Sequence, residues 1–247
     1  MKERLDQLLV KRGLVSTRSQ AAALIKKGVV TINGEVVSKP SLKCLESVEI
    51  SINQDHIFVG RGAQKMEGAY HDFSLSFEGK IVGDMGASTG GFTEFALLKG
   101  ASKVYAVDVG HDQLAEVLKN NPKVINLEGT NIREGFSEEL FNPLCDILVV
   151  DLSFISLNYV LAPMSTALKE GGEFVILVKP QFEVGKNSLG KNGIVKDTKA
   201  IEEALERVKN ECELNHLIVE KTSLCALKGK TGNQEYFFYG HKIKESQ

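Results

Sequence analysis

The sequence predicts a doubly wound, mostly parallel seven-stranded α/β sheet, preceded by a small α+β unit, and three observations carry that expectation. From Lys80 to Phe92 the chain reads KIVGDMGASTGGF, an apolar run ending in a glycine turn that opens onto a helical pattern. Beyond it, strand-length apolar runs alternate with helical stretches, the pattern of a largely parallel sheet. Before it, residues 1 to 52 hold two short helical patterns and then an Asn-Gly hairpin.

In chain order, Leu5, Leu8 and Leu9 share one helical face, and Gly13 stops that helix. Thr17 and Gln20 have the T-x-x-Q spacing of a capping box, so a second helix continues through Ala21 to Lys27, and Gly28 ends it in a left-handed conformation. Asn33-Gly34 between β-branched runs predicts a hairpin, because both turn residues tolerate positive φ. One small sheet is therefore expected after the two helices. Residues 53 to 61 read as a linker, dividing the chain into units 1–58 and 59–247. A helix is expected over 62–73, then the central strand and a helix from Phe92 to Lys99. There follow strand 103–108, a helix over about 111–119, strands 123–127 and 145–151, and a helix over about 157–168. Strand 173–179, helix 198–212 and strands near 216–221 and 235–239 complete the alternation. The glycine-rich stretch Gly185 to Gly193 interrupts it as a candidate flap.

A chain of 247 residues, 43% hydrophobic and 25% charged, can bury one sizeable core beside a small satellite. The net charge of −2 gives no global sign of nucleic-acid binding. Charge is uneven, however: residues 1–58 hold nine Lys and Arg against six Asp and Glu. Cys44, Cys145, Cys212 and Cys225 are scattered without C-x-x-C or histidine at ligand spacing, so buried free thiols in a reducing compartment are expected, with no metal. The apolar runs are too short for a membrane span and the N-terminus lacks an apolar signal core, which predicts a cytoplasmic protein without stable membrane association.

The strand, glycine turn and helix at 80–92 place bare amides and a helix N-terminus at the carboxyl rim of the sheet, where open α/β folds bind nucleotide-like ligands. The spacing D-x-G-x-x-x-G-G departs from the G-x-G-x-x-G that closes on a pyrophosphate. Asp84 would repel a phosphate but can accept a hydrogen bond from a cationic amino group, as in the methionine part of S-adenosylmethionine. Asp108, 24 positions on at the end of the next apolar run, suits ribose hydroxyls. Gly86, Ser88, Gly90 and Gly91 complete the candidate pocket. The plainer reading makes Gly86 and Gly90 a tight turn that Asp84 caps.

Two further ionisable residues end apolar strands. CDILVV runs into Asp151 and FVILV into Lys179, both at the rim that carries Asp84 and Asp108. A half-buried lysine is usually paired or functional. Asp151 capping the turn at Ser153, with Lys179 neutralising it, is the alternative, since structural ion pairs also perturb titration.

The stretch RLDQLLVKRGLVSTRSQAAALIKKGVVTINGEVV resembles the RNA-binding module named after small-subunit ribosomal protein S four. That resemblance implies RNA contact by Arg4, Arg12, Arg18, Lys26 and Lys27, which by charge alone could form a solvated face. GDMGASTGGFTE, VYAVDVGHDQL, VVDLSFISL, VKPQFEVGK and GNQEYFFY resemble, in order, the motifs of the TlyA (hemolysin A) family. Its members are S-adenosylmethionine-dependent ribosomal RNA 2′-O-methyltransferases with an FtsJ-like catalytic domain. The resemblance implies a Rossmann-like methyltransferase sheet whose last strand is antiparallel, ribosomal RNA or ribosomal subunits as partners, and no DNA. It also implies a Lys-Asp-Lys-Glu tetrad of Lys65, Asp151, Lys179 and Glu235, and cofactor contacts that include Asn131 near the adenine. Lys179 is the expected base, with Lys65 beside it and both carboxylates orienting the lysines, the four titrating as a coupled unit. The chain departs from the family pattern mildly at RGAQK and more strongly at CALKGK, where relatives tend to carry S-P-I-x-G-P; that loop presents extra positive charge.

Other readings compete. Gly86 to Gly90 also spells G-x-S-x-G, a nucleophile elbow in which Ser88 would need Asp197 and then His216 or His241. Gly185 to Asn192 nearly matches a P-loop, but Asn192 replaces the magnesium-binding hydroxyl. A membrane-lysing protein would need an amphipathic segment with a broad basic face, and a catalytically idle RNA-binding assembly factor would keep the fold without the transfer.

Overall fold

The computed structural model describes residues 2–15, 17–52, 58–137, 139–185 and 188–244. The chain divides into two compact units, Met1–Ile57 and Phe58–Gln247. Residues 53–57 of the expected linker, and Lys186 and Asn187 of the expected flap, lie outside the described residues.

The first unit comprises β1 (Lys2–Arg4), α1 (Leu5–Lys11), α2 (Arg18–Lys26), β2 (Val30–Ile32), β3 (Glu35–Val36), β4 (Lys43–Leu45) and β5 (Ile50–Ile52). Thr17 caps α2, its Oγ1 accepting the Gln20 amide at 3.1 Å. Asn33 and Gly34 take φ of 50° and 85°, the left-handed pair that a tight hairpin requires. Leu5, Leu8 and Leu9 pack with Ala21, Leu24, Ile25 and Val30 into a closed core. The single sheet expected here is two: β1 pairs antiparallel with β4, and β2 lies between β3 and β5. Lys2-Glu3-Arg4 has no apolar alternation to announce a strand; pairing of Glu3 with the distant Cys44 fixes it instead.

The second unit runs α3 (Gly62–Phe73), β6 (Ile81–Met85), α4 (Gly91–Leu98), β7 (Lys103–Asp108), α5 (Glu116–Lys119), β8 (Val124–Glu128) and β9 (Cys145–Val150). It continues with α6 (Leu161–Ala167), β10 (Leu168–Val178), α7 (Pro180–Glu183), α8 (Thr198–Leu214), β11 (Leu217–Leu224) and β12 (Tyr236–Lys242). Seven strands form one sheet in the order β11-β12-β10-β9-β6-β7-β8. The five from β10 to β8 are parallel, and β12 is antiparallel to both its neighbours. The chain enters at β6, winds outward to β8, then crosses to β9, so the switch of direction lies between β6 and β9. Ligands of such sheets bind at the strand carboxyl ends beside that switch.

Alternating side chains fill two cores. Val82, Ile147, Val149, Val175 and Leu177 pack with Met66, Phe73, Phe92 and Phe95 of α3 and α4. Leu148, Val150, Phe174, Ile176 and Val178 pack with Leu161, Met164, Val208 and Cys212 of α6 and α8. All four cysteines are free and buried. Among the described residues no helix is long and apolar enough to cross a membrane.

Two helices differ from expectation. The one expected over 111–119 is helical only from Glu116, because Asp112 is left-handed and the Glu128 carboxylate accepts the Gln113 and Leu114 amides at 2.6 and 2.8 Å. The one expected over 157–168 breaks at Val160 (φ −126°) into a 3-10 turn, Leu157–Tyr159, and α6.

Candidate active site

The carboxyl ends of β6, β9 and β10 share one rim because their registers align, Met85 beside Val150 and Val150 beside Ile176. Gly86 follows Met85 and Asp151 follows Val150, while β10 runs on through Leu177 and Val178 to reach Lys179. These three residues line a cavity of about 590 Å³ together with Lys65, Asp84, Ser88, Gly91 and Glu235.

The turn after β6 is shaped by contacts that only glycine permits. Gly86 has φ +91°, and a Cβ there would lie 2.7 Å from the Asp151 carbonyl oxygen. Gly90, at φ +96°, precedes α4, and its Cβ would strike Leu118. Between them Ser88 donates its amide to Asp108 Oδ2 at 2.8 Å, while Asp108 Oδ1 accepts the Gly110 amide at 2.8 Å. Asp108 and Gly90 thus brace the turn without themselves lining the cavity.

Asp84 is fully buried beneath this turn. Its Oδ2 accepts the Thr93 hydroxyl at 2.6 Å, and its Oδ1 has no hydrogen-bond partner among the described residues. Burial pushes its pKa up to about 7, against the Thr93 hydrogen bond and with a smaller push from Asp151. Near neutrality the carboxyl is therefore poised between acid and carboxylate.

Four charged side chains from distant parts of the chain meet at the rim. Lys65 comes from the first turns of α3, which buries Ala63, Met66 and Ala69. Glu235 immediately precedes β12, and the antiparallel pairing of Tyr236 with Val178 sets it opposite the end of β10 that Lys179 extends. Lys65 Nζ is 2.6 Å from Glu235 Oε2 and 3.8 Å from Asp151 Oδ2. Lys179 Nζ is 2.5 Å from Asp151 Oδ1 and donates to Ser153 Oγ at 2.8 Å. Asp151 Oδ1 lacks a well-angled hydrogen bond despite that proximity, so its contact with Lys179 is an ion pair held by distance rather than by direction. The series Glu235, Lys65, Asp151, Lys179 alternates in sign, which offsets the desolvation that would penalise any one charge alone.

Beyond Asp151 the chain forms a loop tied to α7. Glu183 accepts the Ser156 hydroxyl at 2.7 Å and the Leu157 amide at 2.9 Å. This tether holds Phe154 at φ +65° and 91% exposed on the cavity wall, 5.3 Å from the Phe182 ring. Sequence reasoning missed Phe154 and the role of Ser153; the signal was an aromatic and a hydroxyl directly beyond a strand-end acid, in DLSF.

Some expected residues do not gather here. Asn131 stands outside the cavity lining, its Oδ1 accepting the Arg133 amide and its Nδ2 donating to Glu134. The elbow reading finds no support in the geometry: Asp197 caps α8, His241 pairs with Glu220 at 2.7 Å, and neither lines the cavity with Ser88. His216 is likewise absent from the lining.

In the first unit, Asp6 is 4% exposed and gathers two of the expected RNA contacts. Arg4 donates to both its oxygens at 3.0 and 2.9 Å and Arg18 to Oδ2 at 3.2 Å. The Arg4 hydrogen bond, with Arg18 adding to it, holds the Asp6 carboxyl down to about 2. Arg12 donates to the Glu46 carbonyl, while Lys26 and Lys27 are exposed.

Comparison with known proteins gives a consistent picture. Residues 58–242 match the model of the FtsJ-like methyltransferases, and residues 3–50 match the S4 domain. The chain is 41% identical to the 16S/23S rRNA (cytidine-2′-O)-methyltransferase TlyA of Mycobacterium tuberculosis, over 96% of this chain and 88% of that one. It is 36% identical to Hemolysin A of Brachyspira hyodysenteriae, over 94% and 97% respectively. A solved structure from Streptococcus thermophilus, provisionally named a hemolysin, superposes with a TM-score of 0.74 at 38% identity, covering 100% of this chain and 90% of its own.

Proposed function

The chain belongs to the FtsJ-like methyltransferase family, and on that premise we propose that it transfers a methyl group from S-adenosylmethionine to a ribose 2′-hydroxyl of ribosomal RNA. The observation that carries the reading is the alternating chain of Glu235, Lys65, Asp151 and Lys179 on the wall of the same cavity as the glycine turn.

The turn suits the cofactor on its own chemistry. Gly86 leaves bare backbone where any Cβ would collide, and the unsatisfied Asp84 Oδ1 fits an acceptor kept for a cationic amino group or a water leading to one. Asp108, already oriented by two backbone amides just outside the cavity lining, would meet the ribose hydroxyls where the cofactor extends past the edge of the turn. S-adenosylmethionine supplies a methyl group activated by a positive sulfur. What the chain must add is alignment and a place for one proton.

Lys179 Nζ, after giving up to solvent the proton it carries in its ion pair with Asp151, takes the proton of the RNA 2′-hydroxyl as the oxygen becomes a nucleophile. Asp151 then faces the ammonium so formed, and Ser153 Oγ fixes the direction of Nζ. Lys65, pinned between Glu235 and Asp151, keeps Asp151 from swinging away. Phe154 offers an exposed ring on which the base of the target nucleotide stacks. In the first unit, Asp6 fixes two guanidinium groups whose remaining N–H donors suit the phosphates of a folded RNA.

Ribosomal particles from a strain lacking the gene, incubated with the protein and methyl-labelled S-adenosylmethionine and then mapped for ribose methylation, test the proposal. It expects label at discrete ribose 2′-oxygens. Label confined to bases or protein, or absent altogether, would overturn it.

A further inference from the structure

Resting on that reading, a second question is what grips the RNA strand where it enters the cavity. Two loops on the cavity wall are stitched together by one residue. Asn233 is 2% exposed, its Oδ1 accepting the Val195 amide at 2.9 Å and its Nδ2 donating to the Gly193 carbonyl at 2.9 Å. Its own carbonyl accepts the Gly229 amide at 2.9 Å, which folds residues 229–233 into a tight turn. The Lys228 carbonyl in turn accepts Arg61 Nη2 at 3.0 Å, so the start of α3 is joined to the same edge. These are built loops rather than loose ones.

The edge they form is cationic. Arg61, Lys191, Lys228 and Lys230 are all exposed, and Arg61 and Lys230 line the cavity itself. Among the described residues none of the four is paired with a carboxylate. Elsewhere on the unit Lys80, Lys119 and Lys169 each find one. Four unneutralised cations along one lip repel one another and favour a polyanion. A ribose delivered to Lys179 brings its own 5′ and 3′ phosphates to the cavity mouth, so the polyanion that this geometry suits is the RNA backbone.

We propose that Arg61, Lys228 and Lys230, with Lys191 across the Asn233 stitch, form a phosphate-binding lip that holds the RNA backbone on either side of the target nucleotide. This is a second RNA contact, carried by the methyltransferase unit itself. It fixes which ribose along a strand reaches Lys179, because phosphate contacts set register without reading sequence.

The test uses the full chain carrying Lys228→Ala and Lys230→Ala together, with Lys228→Arg and Lys230→Arg as the charge-retaining control. Equilibrium binding to ribosomal particles lacking the modification is measured across a salt series, beside methyl transfer by the parent and calorimetric binding of S-adenosylmethionine. Two lost single-strand phosphate contacts should make the log–log salt dependence shallower by about 1.4 and weaken binding about tenfold at moderate salt. The arginine control should keep the parental slope, and cofactor affinity should stay the same in all three proteins. A parental slope and affinity in the alanine variant would overturn the lip. If the parent transfers no methyl group, the catalytic reading falls, while the binding slopes still decide the lip.

Discussion

Replacing Asp84 by asparagine should make the protein more stable at neutral pH and worse at its task. Burial raises the Asp84 pKa from 3.8 to about 7, so the folded state holds a proton that the unfolded chain has lost. The folded state therefore binds more protons between those values, and stability falls as pH rises through that window, levelling off above about pH 7. That difference amounts in full to about 4 kcal/mol above pH 7, the cost of holding the carboxylate ionised in its dry site. Asparagine keeps the acceptor for Thr93 and carries no charge, so denaturant unfolding at pH 5 and pH 8 should show the parent losing stability and Asp84→Asn losing about 2.6 kcal/mol less, the remainder of the effect lying below pH 5. Calorimetry should meanwhile show weaker S-adenosylmethionine binding, since a neutral amide is a poorer partner for an ammonium. Parallel stability curves for the two proteins between pH 4 and pH 7 would refute the burial argument.

Phe154→Ala should raise the KM for RNA about tenfold with cofactor affinity intact, since base stacking on an aromatic ring is worth about 1–3 kcal/mol; steady-state methyl transfer measures it. Asp6→Asn should destabilise the first unit by about 1 kcal/mol after allowing for the exposure of its arginine partners. Because the Asp6 pKa is lowered to about 2, that stabilisation is present above about pH 4 and lost as pH falls toward 2, which thermal melts at pH 6 and pH 3 would show. Phe95→Ala should cost about 3–5 kcal/mol, because Phe95 is wholly buried among Phe58, Tyr70 and Phe77.

The rim of the site was legible in the sequence because its parts end apolar runs. Asp151 and Lys179 each close an uninterrupted strand, and the parallel alternation placed both strand ends on the side of the glycine turn. Lys65 and Glu235 were legible only through family resemblance, since nothing local ties residues so far apart along the chain. The extent of the helix before Asn120 was not legible. Glu128 captures the amides of Gln113 and Leu114 from a strand away, a tertiary contact that overrides helical periodicity. Nor did charge counting reveal that Asp6 would gather Arg4 and Arg18; a single acid among basic residues looks the same whether it is solvated or buried between two guanidinium groups. Phe154 escaped notice because a lone aromatic usually belongs to a core, and only its left-handed backbone and exposure set it apart.

The most direct test of the catalytic account is single-turnover methyl transfer by Lys179→Ala, with S-adenosylmethionine and RNA binding measured on the same preparation. Loss of a general base should slow transfer about a thousandfold while both ligands bind as in the parent. Transfer at the parental rate with both ligands bound would contradict it.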